Sequence, residues 1–237
     1  MEYFNSELWD VEHIAAELYD FKKIGGMSLP SFLKEEVRYA ALQEITLCHY
    51  LFRRSPELYG KSRQNLSSLY FGEADETWAI GNLENVHFLS NICNAYAVQY
   101  AQLSHYAHFQ AGKPNSIGIH KYPVGEYGID AHVDHSWYAN LVSILVLQGK
   151  GKLCILKERE QDNLQENQRD NVKDNGSEEI ELASTPGTLI LLRGPRIAEE
   201  KIHRPRHSIS KITEERIALI MRQDLRKREG MGHDEHY

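Results

Sequence analysis

The sequence lacks the features that would place a protein in a membrane or export it. No stretch of apolar residues approaches the roughly 18 residues that a membrane-spanning helix needs. Residues 1–10 carry acidic and aromatic side chains instead of a basic segment followed by an apolar one, so they do not resemble a secretory signal. We therefore expect a cytoplasmic protein that has no membrane partner.

Cysteine and positive charge are also in short supply. The three cysteines, Cys48, Cys93 and Cys154, form no Cys-x-x-Cys pair, so neither a disulfide framework nor a zinc knuckle is predicted. The 27 Lys and Arg residues are outnumbered by 34 Asp and Glu residues, which gives a net charge of -7. Phosphate contacts require a basic face, so we expect no nucleic-acid partner. The sequence does not indicate an oligomeric state.

The composition itself is that of an ordinary globular protein. The chain has 237 residues, of which 41% are hydrophobic and 26% are charged, so it is long enough to bury a sizeable core. We interpret it as a single domain spanning residues 1–237. Within that domain we expect helical support over 1–114, a β core over 115–224 and a tail over 225–237.

The first part of the chain is predicted to be helical. Apolar residues recur at helical spacing, and the three predicted helices carry the apolar faces Val11 to Leu18, Val37 to Cys48 and Leu89 to Leu103. Gly25 and Gly26 would stop the first helix. We expect these faces to pack against the core.

Short β-type runs separated by turn residues begin after Pro114. The expected strands are 116–122, 127–133, 141–147, 153–156, 180–182, 188–192, 206–210 and 216–221. About eight short strands after a helical lead favour a barrel or jelly roll braced by helices. The polar run 157–179 contains almost no apolar residue and cannot bury a core, so it is expected to be a mobile insertion between two strands.

The segment around His132 and Asp134 carries the chemistry. Successive side chains alternate in a strand, so these two would point one way and Val133 the other. Together they offer one imidazole nitrogen and one carboxylate oxygen to a common point. His207, on a later strand, is the expected third ligand, and His203 is the alternative. Two histidines and one carboxylate that leave open metal positions are typical of non-haem iron(II) oxygenases.

Arg216 adds weight to this motif, which by itself is weak in a chain with 12 histidines. It follows His207 beyond a predicted turn at 213–215, on a strand face shared with Ala218 and Ile220. An arginine inside an apolar barrel is costly unless it meets an anion, and its planar fork suits a carboxylate.

Together these motifs resemble the iron(II)/2-oxoglutarate-dependent dioxygenases. The matching stretches are Tyr122-Pro123-Val124-Gly125-Glu126-Tyr127, His132-Val133-Asp134, Pro186-Gly187-Thr188-Leu189, His207 and Arg216. The similarity covers residues 116–224, whereas the N-terminal helices show no match. The Tyr-Pro stretch is similar to the prolyl-hydroxylase branch, and His-Val-Asp-His-Ser followed by 145–149 looks more like the isopenicillin N synthase-like branch.

The resemblance implies an α+β fold, with a double-stranded β-helix (jelly-roll) core braced by the N-terminal helices. His132, Asp134 and His207 would bind Fe(II), and Arg216 would pair with the distal carboxylate of 2-oxoglutarate. Tyr122 would donate its hydroxyl to the same carboxylate. Many relatives place a serine two residues after this arginine, where Ala218 stands here.

The implied reaction uses molecular oxygen to hydroxylate a small molecule, an amino acid or a specialised metabolite, and releases succinate and carbon dioxide. Asp134 favours hydroxylation because related halogenases carry a small residue in its place. Desaturation, epoxidation, cyclisation and a protein substrate stay open as alternatives. A catalytically inactive jelly roll that binds a ligand or a partner is the competing hypothesis.

Several neighbouring residues receive weaker predictions. His135 should point away from the metal and act as a bystander or at the substrate edge. Trp137 and Tyr138 should lie at the pocket mouth or pack at its rim. The remaining arginines are expected to be mostly solvated, with Arg204 or Arg206 the best candidates to meet an acidic substrate; this set is Arg193, Arg196, Arg204 and Arg206.

Overall fold

Short helices and long strands make up the computed structural model, which describes residues 2–20, 23–59, 62–72, 87–106, 109, 111–157, 178–194 and 204–226. The helices are α1 (Val11–Tyr19), α2 (Glu35–Leu47) and α3 (His87–Ala101). The strands before α3 are β1 (Gly26–Leu29), β2 (Arg53–Arg54), β3 (Leu58–Tyr59), β4 (Ser62–Arg63) and β5 (Ser67–Gly72). Those after it are β6 (Ser116–Tyr122), β7 (Gly125–His132), β8 (Tyr138–Lys157), β9 (Glu178–Leu182), β10 (Leu189–Arg193) and β11 (Arg206–Asp224).

Two long strands, β8 and β11, run antiparallel beside each other and organise the sheet. Around one half of this pair the order is β1-β10-β8-β11-β6-β5-β2. Around the other half, β9 pairs with β8 and β7 pairs with β11. Both long strands are irregular where the halves meet, near Gly149, whose φ is +81°. A Cβ at Gly149 would collide with the Glu215 carbonyl, so this close approach requires glycine.

The alternation of side chains along the strands separates two cores. On the inner face, Val142 and Ile144 from one half of the sheet pack in one cluster with Leu153 and Ile209 from the other half. On the outer face, Leu145 and its alternating neighbours pack in a second cluster with the apolar faces of the helices. The strands are therefore buried on both sides, which explains their continuous apolar runs.

Polar groups cap the helices and attach α3 to the outer face of the sheet. The Asp10 side chain accepts a hydrogen bond from the backbone N–H of His13 and caps α1. The Glu44 carboxylate accepts from the backbone N–H groups of Phe88 and Leu89 at 2.7 and 2.9 Å, so α2 caps the start of α3. The hydroxyl of Tyr96 on α3 lies 2.6 Å from Ser143 Oγ on β8.

The expectation of a purely helical first part is wrong in one respect. The described residues before α3 contribute five strands as well as two helices. Gly26 does not merely stop a helix, because it begins β1, which pairs antiparallel with β10. In the main sheet β1 pairs with β10 and β5 with β6, whose backbone groups need partners, and β2 pairs with β5. The other two, β3 and β4, form a separate two-stranded sheet.

Two predicted strand boundaries are also wrong. The runs 141–147 and 153–156 belong to the single strand β8, and 206–210 and 216–221 belong to β11. The turn expected at 213–215 lies inside β11, because the two long strands continue beside each other across the irregular region, with Glu214 paired to Lys150.

Several expectations fall outside the described residues. They concern most of the polar insertion (158–177), Arg196, His203 and the tail from 227 onward. The assignment of residues 1–237 to a single domain stays a prediction. In the described part of the chain, no helix is both long enough and apolar enough to cross a membrane.

Leu145 tests the packing of the sheet between its two cores. Its side chain is fully buried, so Leu145→Ala should lower the free energy of unfolding by about 2–5 kcal/mol through the cavity it leaves. Chemical denaturation measures this loss. Val98→Ala is the control, since Val98 is 66% exposed and its truncation should cost less than about 0.5 kcal/mol. Equal losses from the two variants would contradict this packing.

Candidate metal centre

Strand pairing brings the two predicted histidine ligands together. His132 at the end of β7 lies directly opposite His207 on β11, and their ring centroids are 4.4 Å apart. Asp134 follows two residues after His132, and its Oδ2 lies 3.6 Å from His207 Nε2. One ligand atom from each of the three residues lies within 4.8 Å of the others, so the group could hold a single cation.

Asp134 reaches this position by a different route from the one expected. Strand alternation does not place it, because β7 ends at His132 and Asp134 lies in the irregular segment that follows. Two arginines hold it instead. Arg222 Nη2 lies 3.5 Å from Asp134 Oδ1, and Arg204 Nη1 donates to the Asp134 backbone carbonyl at 2.5 Å.

Backbone carbonyls fix the tautomer of both histidines. His132 Nδ1 lies 2.9 Å from the Asp130 carbonyl oxygen, and His207 Nδ1 lies 3.1 Å from that of Pro205. A carbonyl can only accept, so each Nδ1 carries the proton and donates it. The Nε2 lone pair of both rings is therefore free to bind a metal.

The electrostatics suit a metal-binding state. Burial and the neighbouring His207 lower the pKa of His132 to about 4, so its imidazole is neutral near neutral pH. Burial alone would raise the pKa of Asp134, but Arg222 and the nearby histidines outweigh it, and the pKa lies below the ordinary value. The Asp134 carboxylate is thus ionised, and the His132 imidazole is neutral with no proton on Nε2, as metal ligands must be.

The ligand cluster opens into a cavity inside the barrel. Its walls are lined by His120, Tyr122, Ile129, His132, Asp134, Val142, Ile144, Leu153, His207, Ser208, Ile209, Arg216, Ile220 and Arg222. The apolar members line the space between the triad and the arginines with groups that do not bind water. Charged groups in such surroundings interact more strongly than they would in water.

Arg216 is buried in this cavity with unfilled hydrogen-bonding capacity. It is 1% exposed, and among the described residues neither its Nε nor its Nη2 has a hydrogen-bond partner. Burial lowers its pKa from the ordinary value. Buried guanidinium donors without partners are costly, so the side chain fits an anion, and its fork matches a carboxylate.

Tyr122 lies beside this arginine, as the sequence motifs suggested. The two residues face each other across β6 and β11, and the Arg216 guanidinium carbon lies 5.5 Å from the centre of the Tyr122 ring. Burial raises the pKa of Tyr122 to about 12, so its hydroxyl stays protonated and can donate. Ala218, which departs from the family pattern noted in the sequence, lies opposite His120 in the same register.

The weaker predictions have mixed outcomes. His135 stacks on the Trp137 ring at 4.0 Å and lies outside the ligand cluster. Trp137 and Tyr138 pack in the inner core, and neither lines the cavity. Arg206 is exposed, whereas Arg193 is 4% exposed and donates to the carbonyls of α1 and its C-cap, so the expectation of a solvated side chain is wrong for Arg193.

Sequence reasoning overlooked two residues of the cavity, Arg222 and His120. Arg222 lies on the same strand as Arg216 at an even spacing, which is the signal that could have identified it. His120 precedes Tyr122 by two residues and shares its strand face for the same reason.

Comparisons with known proteins agree with this architecture. No family model and no curated protein matches the sequence. The structure is similar to a prolyl-4-hydroxylase from Pseudomonas putida, with a TM-score of 0.58 at 13% identity, over 89% of this chain and 98% of that one. A Trichoplax adhaerens prolyl hydroxylase, solved with a peptide fragment of the hypoxia inducible factor oxygen degradation domain, gives a TM-score of 0.60 at 11% identity over 97% of both chains.

A 2OG-Fe(II) oxygenase family protein from Burkholderia pseudomallei gives a TM-score of 0.53 at 14% identity, over 90% of this chain and 88% of that one. The chain has the fold of the 2OG-Fe(II) oxygenases. The expected jelly-roll core braced by helices is therefore confirmed. In this oxygenase fold the triad and Arg216 line one cavity inside the jelly roll.

Metal binding tests the convergence of the three side chains. His207→Ala should weaken the binding of Mn(II), a redox-stable probe, by at least about 100-fold, because it removes a directly bound nitrogen. Isothermal titration calorimetry measures the affinity. The control is His135→Ala, which should change it by less than about threefold because His135 lies outside the cluster. Comparable losses in both variants would exclude the proposed ligand set.

Proposed function

We propose that the chain is a mononuclear iron(II), 2-oxoglutarate-dependent oxygenase. One observation carries this proposal: the buried, unpartnered donors of Arg216 lie in the same cavity as His132, Asp134 and His207. A triad of this type suits several metals, but a buried arginine that can bind a carboxylate beside it indicates an anionic cosubstrate. The 2-oxo acid end of 2-oxoglutarate suits a metal, and its distal carboxylate suits a guanidinium.

Each side chain has a role in this proposal. His132, Asp134 and His207 would hold Fe(II), which when bound supplies the activation of oxygen coupled to the conversion of 2-oxoglutarate into succinate and carbon dioxide. Arg216 pairs with the distal carboxylate of 2-oxoglutarate, and the protonated Tyr122 hydroxyl donates to it. The apolar walls exclude water from the space between them.

The substrate class is the finer part of the proposal. We infer hydroxylation of a small molecule by a cytoplasmic enzyme, in line with the composition and with an intact carboxylate ligand. A protein substrate is the second candidate, since one structural neighbour was solved with a peptide fragment and spans 97% of this chain. A succinate-release screen that compares amino acids, small acids and amines with proline-containing peptides separates the two.

Anaerobic titration tests the cofactor and cosubstrate directly. The protein loaded with Fe(II) should develop a weak visible charge-transfer absorption on addition of 2-oxoglutarate, and should release succinate once oxygen is admitted. Asp134→Ala should lose both signals, because it removes a metal ligand. Circular dichroism is the check that the variant remains folded. Absence of the absorption and of succinate release in the wild type would favour the inactive jelly roll.

Arg216→Ala separates binding of the cosubstrate from binding of the metal. Loss of a charge-assisted pair should raise the dissociation constant of 2-oxoglutarate by about 10- to 100-fold and leave the affinity for Fe(II) nearly unchanged. Arg206→Ala is the matched control, because Arg206 is exposed on the same strand. If Arg216→Ala weakened the binding of both ligands equally, Arg216 would instead be a structural residue.

A further inference from the structure

A series of buried hydrogen bonds begins at Tyr122 in the wall of the cavity and continues through His120, which also lines it. His120 lies between two tyrosines, with Nδ1 3.2 Å from the Tyr122 hydroxyl and Nε2 3.1 Å from the Tyr70 hydroxyl. His120 is 6% exposed and Tyr122 is 4% exposed. Both imidazole nitrogens are therefore engaged, and one of them is bonded to the hydroxyl of Tyr122, the residue whose ring lies beside the Arg216 guanidinium.

Small residues on the neighbouring strands leave room for the side chains that form these hydrogen bonds. His120 and Tyr122 share one face of β6, and small residues stand opposite the bulky ones. Ala218 on β11 lies opposite His120 on β6, and Gly118 on β6 lies opposite Tyr70 on β5. A Cβ at Gly118 would lie 2.8 Å from Cε1 of the Tyr70 ring, so the ring fits only because this residue is glycine.

The His120 ring carries only one N–H, which limits how the hydrogen bonds on its two sides can be arranged. Burial lowers the pKa of His120 to about 3, so the ring is neutral and carries a single N–H. If Nε2 carries the proton, Tyr122 must donate to Nδ1, and its hydroxyl hydrogen is used up. If Nδ1 carries the proton and donates to the Tyr122 oxygen, the Tyr122 hydrogen is free to point elsewhere.

The Tyr70 hydroxyl can supply the donor that this second arrangement needs. Burial raises the pKa of Tyr70, and the positive charge of Arg222 opposes the rise without cancelling it, so the hydroxyl stays protonated. Its hydrogen is available to His120 Nε2, which lies 3.1 Å from the Tyr70 oxygen.

We propose that His120 is a positioning residue whose Nδ1–H donates to the Tyr122 oxygen and so directs the Tyr122 hydroxyl hydrogen toward a carboxylate held by Arg216. This inference rests on the proposed function, because the carboxylate concerned is the distal one of 2-oxoglutarate. A carboxylate only accepts hydrogen bonds, so its binding selects the Nδ1–H tautomer of His120.

Anaerobic titration of the Fe(II)-loaded protein with 2-oxoglutarate tests this role. His120→Phe removes both hydrogen bonds at similar volume and should raise the dissociation constant about 10-fold, as expected for an impaired bond to a charged acceptor. His120→Asn should recover most of the affinity, because its amide N–H lies near the position of Nδ1. Unchanged binding by folded His120→Phe would overturn the inference.

A double-mutant cycle separates positioning from simple packing. Tyr122→Phe removes the final donor, so adding His120→Phe to it should weaken binding of 2-oxoglutarate no further. The affinity for Fe(II) should stay the same in all variants. If the two substitutions weaken binding independently, so that their effects multiply, His120 does not act through Tyr122 and the inference fails.

The tautomer can be read without any substitution. In the Zn(II)-loaded protein labelled with nitrogen-15, binding of 2-oxoglutarate should give His120 a protonated Nδ1 and an unprotonated Nε2, seen in the ring nitrogen shifts. The opposite tautomer in the bound state would contradict the proposal. Because this measurement uses the wild-type chain, it remains decisive if His120→Phe does not fold.

Tyr96→Phe is the matched control for the binding measurements. It removes another buried tyrosine hydroxyl, which α3 carries and which is bonded to Ser143 on β8. This substitution should leave the affinity for 2-oxoglutarate unchanged. Failure of the wild type to bind 2-oxoglutarate would defeat the proposed function. Normal binding by the wild type together with equal binding by His120→Phe would defeat only the role given to His120.

Discussion

The antiparallel pairing of β11 is the constraint on which the site depends. One half of this strand pairs with β7 and sets His207 opposite His132. The other half pairs with β6 and sets Arg216 opposite Tyr122. Both pairings belong to one continuous strand, so the candidate metal ligands and the candidate anion anchor are held at a fixed separation by backbone hydrogen bonds. A slip of register by one residue would turn each of these side chains to the opposite face.

Charge in the cavity follows a consistent pattern. Arg216 and Arg222 bring positive charge into an apolar interior where, among the described lining residues, Asp134 is the acidic one. A bound dication would increase this positive excess, and a dianionic cosubstrate would offset most of it. Buried ionic groups in such an arrangement contribute little to folding stability. Their value lies in binding, which is why the two unpartnered donors of Arg216 are better explained by a ligand than by the fold.

Residue chemistry and period-two alternation were sufficient to select the histidine of β11 and the inward arginine as candidates, because each lies in a run of apolar residues with clear strand character. Tyr122 was selected only through the resemblance of its Tyr-Pro stretch to a known family. Asp134 lies in the cluster with both histidines, but the local reason given for its position was wrong, since arginine contacts rather than strand geometry hold it.

Non-local pairing explains what the sequence did not reveal. The short strands β1 and β2 have too few residues to show alternation, and they form because distant strands offer unpaired backbone groups. The continuity of β8 and β11 across Gly149 depends on a close approach between two segments far apart in sequence. Single polar residues such as His120 and Arg222 carry no such pattern, because an isolated polar side chain in a strand is equally typical of a solvated face.

These overlooked residues connect the two halves of the site. Arg222 contacts the Asp134 carboxylate, and its positive charge also acts on Tyr70, which is joined through His120 to Tyr122. The links from Tyr70 to Tyr122 are hydrogen bonds between side chains on the paired strands β5 and β6. Hydrogen bonds in a low-dielectric interior strengthen one another when donors and acceptors alternate in one direction. If Tyr122 and Asp134 have the roles proposed for them, the orientation of the Tyr122 hydroxyl depends on groups that extend to Arg222 and the Asp134 carboxylate, so the jelly roll has a physical means of preparing an anion site and a metal site together.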